Sequence, residues 1–304
     1  MEKTSKTISL SDAAARIREG GVVAFPTETV YGLGANALDA AAVAKIFELK
    51  GRPGTSPLIV HVSSIEMAKK YAADWPPVAD DLARRHWPGP LTIVVKKSPA
   101  IPDIVTAGLG TVGLRMPAHE LALQLIELAG VPIAAPSANR FTHLSPTTAQ
   151  HVAGEFGDAV EILDGGPCQV GIESTVVSVV DGELTMLRPG MISIDATVPA
   201  PASDGPHPSP GMHPRHYSPR TRLLLVETPR TLPDRRGAYV WWKKAGLTTC
   251  SRRMPRNPAA YAARLYDVLH ELDQENWPWI AVESPPATPE WSAIVDRLRR
   301  ASCQ

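Results

Sequence analysis

The sequence has few cysteines, no net charge and no long apolar run. Its 304 residues include three cysteines, which lie far apart and are odd in number. They indicate neither a disulfide framework nor a metal-binding CxxC knuckle, and they fit a reducing compartment. No apolar stretch approaches the ~18 residues of a membrane span, and the N-terminus lacks the apolar core of a signal peptide. We therefore expect a cytoplasmic protein with no membrane segment.

The absence of net charge limits the possible partners. Lysine and arginine together number 31, as do aspartate and glutamate, so the formal net charge is +0. A chain-wide electrostatic attraction to nucleic acid is therefore not expected, although a local basic cleft remains an open alternative. Hydrophobic residues make up 44% of the chain and charged residues 20%, which leaves enough apolar material for a globular core.

Several sequence motifs of enzymes are also absent. The chain has no GxxxxGK[ST] phosphate loop, no GxGxxG fingerprint, no GxSxG elbow and no Cys/His cluster for a metal. Glu28 and Glu173 are the candidate carboxylates, and their spacing alone assigns neither of them a role. We expect no metal site built from protein side chains.

Proline, in contrast, is abundant. The chain has 30 prolines, about twice the average usage, and seven of them fall between Pro199 and Pro219. Seven prolines cannot lie inside a helix or a central strand over this length. They predict an extended linker at residues 199–219, between a larger domain at residues 1–198 and a smaller one at residues 220–304.

Short apolar runs alternate with helical patterns along the chain. In the larger part the predicted strands are residues 21–25, 58–62, 91–95, 111–114, 132–135 and 175–180. The predicted helices there are residues 40–49 with Asp39 as cap, a segment capped by Ser63 or Ser64, and residues 118–129 and 147–156. The C-terminal part has predicted strands at residues 222–226, 237–240 and 279–282 and predicted helices at residues 259–274 and 292–301. This alternation predicts an α/β layer fold for both parts.

The loop at residues 26–34 is the first candidate ligand site. It follows a predicted strand and precedes a predicted helix, the place where an α/β protein binds ligands. The hydroxyls of Thr27 and Thr29 and the two glycines of the loop allow a close, hydrogen-bonded approach. Judged on these residues alone, a plain turn is the favoured interpretation.

Basic residues and one histidine accompany other predicted elements. Lys50 and Arg52, at the end of a helix, can neutralise phosphates or complement the helix dipole, and the second interpretation is favoured. His61 lies within an apolar strand and is typical of a satisfied interior residue. Arg115 closes an apolar strand and needs an anion, either a substrate carboxylate or a structural Asp or Glu.

Small polar residues complete the candidate set. Ser137 and Asn139 follow one strand, Ser145 begins a segment that leads into a helix with proline in its first turn, and Ser174 and Arg188 lie at strand edges. Each of them alone is an ordinary turn or cap residue. Their number within one domain predicts a site for an anionic ligand that carries phosphate.

Longer motifs make the sequence resemble a known family. They are FPTETVYGLGANA, KGRP, SPLIVHV, WPGPLTIV, VGLRMPAH, PIAAPSANR, SPTTAQHV, ILDGGPCQVGIESTVVS and LRPGMIS, in order over residues 8–195. They resemble the YrdC-domain family of L-threonylcarbamoyladenylate synthases. The segment SPGMHPRHYSP and a tail with ARLYDVLHELD and WSAIVDRLRRA are similar to the long, two-domain form of these enzymes.

The resemblance implies both a fold and a reaction. The fold is a YrdC-like twisted, mostly open α/β sheet with a deep concave cavity, joined to a smaller Rossmann-like domain. The reaction is a nucleotidyl transfer: L-threonine and bicarbonate form a carbamate, which takes AMP from ATP and releases pyrophosphate, with Mg²⁺ on the phosphates. A downstream threonylcarbamoyl transferase complex would then modify tRNA at the adenosine next to the anticodon.

The resemblance also implies roles for individual residues. The positions that hold threonine are Thr27, His61, Arg115 and Ser174. The positions around ATP are Lys50, Arg52, Ser56, Thr111, Ser137, Asn139, Ser145, Arg188 and Tyr217, and Lys50, Arg52 and Arg188 would stabilise charge on the phosphates. Family members often have Asn at the position of Ser56. The serine provides a hydroxyl there but lacks the amide of asparagine. Tyr217 matches a linker segment that folds over the cavity as a lid.

Three other functions remain as alternatives. An RNA-binding module would use a concave basic surface, and the zero net charge argues against it. Carbamoyl-adenylate chemistry with a different acceptor occurs in hydrogenase-maturation proteins, which carry zinc-finger and acylphosphatase-like domains that this sequence does not contain. A non-enzymatic scaffold is disfavoured by the polar residues at the strand ends.

Overall fold

The computed structural model describes residues 6–198 and 216–303, and within them the chain forms nine α-helices and thirteen strands. The helices are Leu10–Arg18 (α1), Ala40–Lys50 (α2), Ile65–Tyr71 (α3), Pro77–His86 (α4), Asp103–Thr106 (α5), Glu120–Ala129 (α6), Ala149–Phe156 (α7), Pro258–Gln274 (α8) and Ser292–Ser302 (α9). The strands are Val23–Phe25 (β1), Gly32–Asn36 (β2), Ile59–His61 (β3), Leu91–Lys96 (β4), Thr111–Arg115 (β5), Ile133–Ala135 (β6), Glu161–Ile162 (β7), Thr175–Ser178 (β8), Thr185–Arg188 (β9), Leu223–Val226 (β10), Ala238–Trp241 (β11), Cys250–Arg253 (β12) and Ile280–Glu283 (β13). The greater part of the predicted linker, residues 199–215, lies outside the described residues.

Two sheets organise the described residues. The larger domain has a nine-stranded mixed sheet with the order β7-β1-β2-β6-β3-β5-β4-β8-β9. In it β3 pairs with β5 and β4 with β8 in parallel, whereas β6 is antiparallel to both its neighbours. The C-terminal domain has a four-stranded, all-parallel sheet with the order β10-β13-β11-β12. The predicted α/β class and the smaller second α/β domain are confirmed.

The predicted ligand loop at residues 26–34 is shorter than expected, because Gly32–Asn36 is a strand. It pairs antiparallel with β1, and Phe25 lies opposite Gly32. A Cβ atom on Gly34 would lie 2.6 Å from the Phe25 ring, so this glycine makes room for an aromatic side chain within the sheet. The loop is therefore a turn between two paired strands and does not lead directly into a helix.

Side-chain caps fix where several helices begin. Asp39 accepts hydrogen bonds from two amides in the first turn of α2, as predicted, and Ser64 accepts one from the Met67 amide in α3. Thr148 caps α7 by accepting a hydrogen bond from the His151 amide. The α7 helix therefore starts after Thr148, and the proline of the preceding segment is not in its first turn.

Some short elements were missed by the sequence analysis. Strand β7 has only two residues, and β12 is buried mainly at its first residue, so neither shows a clear apolar period. Helix α1 buries Ala13, Ala14 and Ile17, and two alanines make a weak apolar stripe. Tertiary packing determines the conformation of such segments more than their own hydrophobic pattern does.

The two domains share an apolar core across their boundary. Ile172 and Tyr217 cluster with Tyr261 and Leu265 of α8, all of them buried. Residues 216–219, which fall at the end of the predicted extended linker, are buried as well. No helix in the described part of the chain is long and apolar enough to cross a membrane.

Candidate active site

A small cavity lies over one face of the larger sheet. Ile59 and His61 are two residues apart on β3 and so point to the same face, and His61 lies opposite Arg115 in the neighbouring strand. Eight of the predicted site residues line the cavity: Thr27, Arg52, His61, Arg115, Ser137, Ser174, Arg188 and Tyr217. Its volume of about 50 Å³ has room for a few water molecules.

Arg52 is held by the loop that follows α2. Its Nη2 atom donates to the Ser56 hydroxyl at 2.5 Å and to the Pro57 carbonyl at 3.2 Å. Burial lowers the pKa of Arg52 to about 10, so the guanidinium stays charged at neutral pH. Ser56 thus positions Arg52, and for this contact a hydroxyl is sufficient.

Lys50 connects the end of α2 to the segment after β6. Its Nζ atom donates to the Ser137 carbonyl at 2.7 Å and to the Asn139 carbonyl. Burial, and then the charge of Arg52, lower the pKa of Lys50 well below its ordinary value. Lys50 therefore does more than complement a helix dipole, because it fixes the backbone that carries Ser137.

Arg115 already has an acidic partner. Its Nη2 atom lies 2.7 Å from a Glu28 carboxylate oxygen, and both side chains are buried. Of the two anions that the sequence left open, the structural carboxylate is therefore present. Because Arg115 also lines the cavity, a substrate carboxylate would share the guanidinium with Glu28.

His61 is both an interior residue and part of the cavity wall. Its Nδ1 atom lies 3.3 Å from the Ile133 carbonyl, and its ring meets the Phe25 ring edge-on at 5.7 Å. Burial, and then the charge of Arg115, lower the pKa of His61 to about 3. The imidazole is therefore neutral at physiological pH and can contribute one donor or one acceptor.

Thr27 stabilises the turn between β1 and β2. Its hydroxyl donates to the Val30 carbonyl at 2.6 Å and accepts from the amides of Thr29 and Val30, each at 3.2 Å. The Thr27 hydroxyl thus serves the turn that the sequence favoured for this loop. Thr27 nevertheless lines the cavity.

Ser174 and Arg188 lie together in the cavity wall and are joined by hydrogen bonds. Arg188 donates from Nη2 to the Ser174 hydroxyl at 3.0 Å and from Nε to the Ser174 carbonyl at 3.1 Å. The Ser174 hydroxyl also lies 2.8 Å from the Thr92 hydroxyl. Burial is the main reason why the pKa of Arg188 is lowered.

Glu173, next to Ser174, is fully engaged by protein donors. Its carboxylate accepts from the Ser145 hydroxyl at 2.6 Å, the Tyr266 hydroxyl at 3.1 Å and Nε of Arg297 at 2.8 Å. Tyr266 and Arg297 belong to the C-terminal domain, and neither is among the site residues predicted from the sequence. Glu173 therefore joins the two domains at the cavity wall.

Tyr217 lines the cavity beside the basic residues. Its ring packs at 4.1 Å from the His216 ring and lies 5.3 Å from the guanidinium carbon of Arg297. The backbone of Tyr217 has φ = 61°, in the left-handed region that non-glycine residues rarely occupy. A buried tyrosine is thus held in a strained conformation at the cavity.

Five predicted ATP positions do not line the cavity: Lys50 and Ser56, whose contacts are given above, and Thr111, Asn139 and Ser145. Thr111 lines a smaller neighbouring recess that it shares with Thr92. Asn139 donates to the carbonyls of Arg140 and His143, and the Ser145 hydroxyl is bound to Glu173. The structure places Asn139 and Ser145 behind the wall, where they support the residues that face the cavity.

The donor set of the site does not resemble a metal cage. Among residues 6–198 and 216–303, no group of three or more His, Cys, Asp or Glu side chains is arranged to hold an ion. The carboxylate nearest the cavity, Glu173, is occupied by three protein donors. The walls contribute guanidinium and hydroxyl groups, which suit anions.

Two family models cover the chain. One, described as "Telomere recombination" and covering Sua5, YciO and YrdC proteins, matches residues 15–190. The other, described as "Threonylcarbamoyl-AMP synthase, C-terminal domain", matches residues 177–303. The chain belongs to the two-domain, Sua5-type family of threonylcarbamoyl-AMP synthases. As such it is an enzyme that uses ATP in the biosynthesis of threonylcarbamoyladenosine.

Individual relatives resemble this synthase over nearly its whole length. The threonylcarbamoyl-AMP synthase of Pyrococcus abyssi is 50% identical over 95% of this chain and 93% of the relative. The Bacillus subtilis enzyme is 42% identical over 99% of this chain and 95% of the relative. The crystal structure of P. abyssi Sua5 complexed with L-threonine has a TM-score of 0.91 and 40% identity, and covers 96% of this chain and 94% of that one.

Proposed function

We propose that the cavity of this synthase binds L-threonine and ATP side by side and joins them through a carbamate made from bicarbonate. One observation carries the proposal: guanidinium groups of Arg52, Arg115 and Arg188 line a single cavity together with the hydroxyls of Ser137 and Ser174. Three cations around one small space favour a ligand set with several negative charges, and a carboxylate plus a triphosphate is such a set.

Threonine binds at the Arg115 end of the cavity in this proposal. Arg115 takes the amino acid carboxylate, and Ser174 and Thr27 bind the amino acid's polar groups, with neutral His61 beside them. A site that hydrogen-bonds the threonine hydroxyl disfavours valine, because valine leaves buried polar groups unpaired. The P. abyssi protein of the same family, whose structure contains L-threonine, supports this substrate.

ATP binds between Arg52 and Arg188. Both guanidinium groups are buried and held by protein acceptors, so they are fixed before the nucleotide arrives. Lys50 acts indirectly by holding the Ser137 backbone, and Ser56 acts by holding Arg52. Fixed positive charge of this kind stabilises the charge that develops on phosphate oxygens during transfer.

The reaction then needs little covalent chemistry from the protein. A carbamate oxygen attacks the α-phosphorus of ATP, its new P–O bond replaces the bond to the bridging oxygen, and pyrophosphate leaves with that oxygen. Arg52 and Arg188 stabilise the charge on the phosphates, while Arg115 and Ser174 keep the carbamate in line. Positioning and electrostatics would supply the rate enhancement, in agreement with the absence of nucleophile motifs in the sequence.

Mg²⁺ is expected to enter with the nucleotide. The walls offer cations and hydroxyls, and the residues that the structure describes contain no cluster of acidic or histidine ligands, so the ion fits on the phosphates better than on the protein. When bound there, it neutralises part of the phosphate charge.

Tyr217 must leave the cavity before ATP can bind. A volume of about 50 Å³ has no room for a nucleotide, and the Tyr217 ring and His216 line the same space as Arg52 and Arg188. The left-handed backbone of Tyr217 stores strain that its departure would release. The segment from His216 to Ser218 is therefore proposed as the lid expected from the sequence.

A separate enzyme would take up the threonylcarbamoyl-AMP that this site makes. A downstream threonylcarbamoyl transferase complex, and through it tRNA, would receive the unstable adenylate, and a cytoplasmic location would suit that hand-over. These partners are the ones that the family resemblance implies, and an acyl adenylate, being an activated species, needs an acceptor.

The direct test is product formation. The chain is incubated with ATP, Mg²⁺, L-threonine and labelled bicarbonate, and the label in threonylcarbamoyl-AMP and the released pyrophosphate are measured. We expect both to depend on threonine and to fall strongly when valine replaces it. Pyrophosphate release that does not depend on threonine, without labelled adenylate, would contradict the proposal.

A further inference from the structure

Three segments with cavity residues converge on one buried arginine of the C-terminal domain. Arg297, on α9, is fully buried. It donates from Nε to the Glu173 carboxylate at 2.8 Å and from Nη1 to the Pro189 carbonyl at 2.9 Å, and it lies under the Tyr217 ring at 5.3 Å. Each of these three residues is in the cavity wall or adjacent in sequence to a wall residue.

A second C-terminal residue completes the same network. Tyr266, on α8, donates its hydroxyl to the Glu173 carboxylate at 3.1 Å, and its ring lies 6.1 Å from the Tyr217 ring. Glu173 therefore receives two of its three side-chain donors from the C-terminal domain, and Ser145 supplies the third. A buried carboxylate keeps its place through such donors, because each bond it loses would leave charge uncompensated.

The backbone around Glu173 fits closely against α8. Gly171 has φ = 78°, and a Cβ atom there would lie 2.5 Å from the Ala262 carbonyl oxygen and equally close to Ala263. This loop and helix are in contact without side chains between them. A shift of α8 would therefore move residues 171–174 with it, including Ser174.

We propose that Arg297 and Tyr266 are positioning residues for threonylcarbamoyl-AMP synthesis, through which the C-terminal domain sets the places of Ser174, Arg188 and Tyr217. The inference rests on the proposed function, since it takes Ser174 and Arg188 as substrate contacts. It makes the C-terminal domain part of the active site, although neither residue lines the cavity.

A purely structural role is the competing explanation, and kinetics separate the two. Arg297→Lys keeps the charge but lacks the planar fork that reaches Glu173 and Pro189 together. We expect a fold-competent Arg297→Lys enzyme to have a kcat lowered by about tenfold or more, because small displacements of positioned groups are costly. Thermal unfolding is measured in parallel, and rates are compared well below the unfolding transition.

Tyr266→Phe is the milder variant, useful if Arg297→Lys fails to fold. It removes one hydroxyl and keeps the ring, and we expect it to raise the threonine KM or lower kcat several-fold. The matched control is Tyr261→Phe, the same change five residues earlier on α8 in a residue of the apolar core. Equal kinetics for Tyr266→Phe and Tyr261→Phe would overturn the role of Tyr266.

A double-mutant cycle identifies the route of the effect. If Arg297 acts by placing Ser174, the loss caused by Arg297→Lys is smaller in a Ser174→Ala background than in the native chain. Losses that simply multiply would show a general structural effect and overturn the inference. If Ser174→Ala and Arg188→Met themselves leave activity unchanged, the proposed function fails. If those two lower activity while Arg297→Lys and Tyr266→Phe do not, only this inference fails.

Discussion

The Arg115 guanidinium lies 2.7 Å from the Glu28 carboxylate, and both groups are buried. Arg115 is therefore compensated before any substrate arrives, which allows a cation to remain in a low-dielectric wall. A threonine carboxylate that binds there would join an existing ion pair.

Removal of Arg115 should affect threonine more than ATP. We expect Arg115→Ala to raise the KM for threonine at least tenfold in the pyrophosphate-release assay, because the carboxylate loses its cation. The same change leaves Glu28 buried without its partner and should cost about 3–5 kcal/mol of stability. An unchanged threonine KM in a folded Arg115→Ala protein would remove Arg115 from the site.

Replacement of Tyr217 should strengthen ATP binding and lower turnover. Replacement by Ala empties part of the cavity, so calorimetry should show tighter ATP binding than in the native chain. Turnover should fall, because the closing lid is lost. Weaker ATP binding by Tyr217→Ala would mean that the ring supports the nucleotide site rather than occupying it.

Gly190 should tolerate no side chain. A Cβ atom there would lie 2.2 Å from the Thr175 backbone nitrogen, so Gly190→Ala must displace the segment that follows Arg188. We expect a lower unfolding temperature and lower kcat. Gly154→Ala is the matched control, because nothing lies within 4 Å of its Cβ position in helix α7, and it should be neutral or stabilising by about 0.5–1 kcal/mol. Equal effects of the two changes would contradict the packing at Gly190.

Stability should fall as the pH drops below neutral. His151 and His270 stack at 4.0 Å across the domain boundary, with Asp267, Glu155 and Asp273 nearby. Burial lowers the pKa of His151 to about 3 and also lowers the pKa of His270.

The sign of that dependence follows from proton uptake. Below the unfolded pKa of about 6.5 the unfolded chain binds protons that the native histidines do not, so unfolding becomes easier as the pH falls. We expect the unfolding temperature to decrease between pH 7 and pH 5, with a smaller decrease in His151→Gln. A native chain equally stable at both pH values would contradict neutral, buried histidines.

The sequence predicted most of the larger sheet because its strands carry clear apolar runs. The runs at residues 58–62 and 91–95 contain the observed strands Ile59–His61 and most of Leu91–Lys96. The pattern was misleading at residues 26–34, where glycines suggested a loop. There the glycines belong to a strand and accommodate Phe25, a contact that only the folded sheet reveals.

The sequence predicted the cations and hydroxyls that line the cavity, but it did not predict the residues that hold them in place. Spacing could not show that Glu28 pairs with Arg115, because the two residues are 87 positions apart and meet only through the sheet. Arg297 did offer a signal. It lies three residues after Ile294 and four before Ala301, on the buried stripe of α9, where an arginine needs an anion.

A crystal structure with L-threonine and a non-hydrolysable ATP analogue would show where both substrates bind. We expect the threonine carboxylate on Arg115, the triphosphate between Arg52 and Arg188, and Tyr217 displaced from its present position. A triphosphate bound away from Arg52 and Arg188, with Tyr217 still buried in the cavity, would contradict the proposed site.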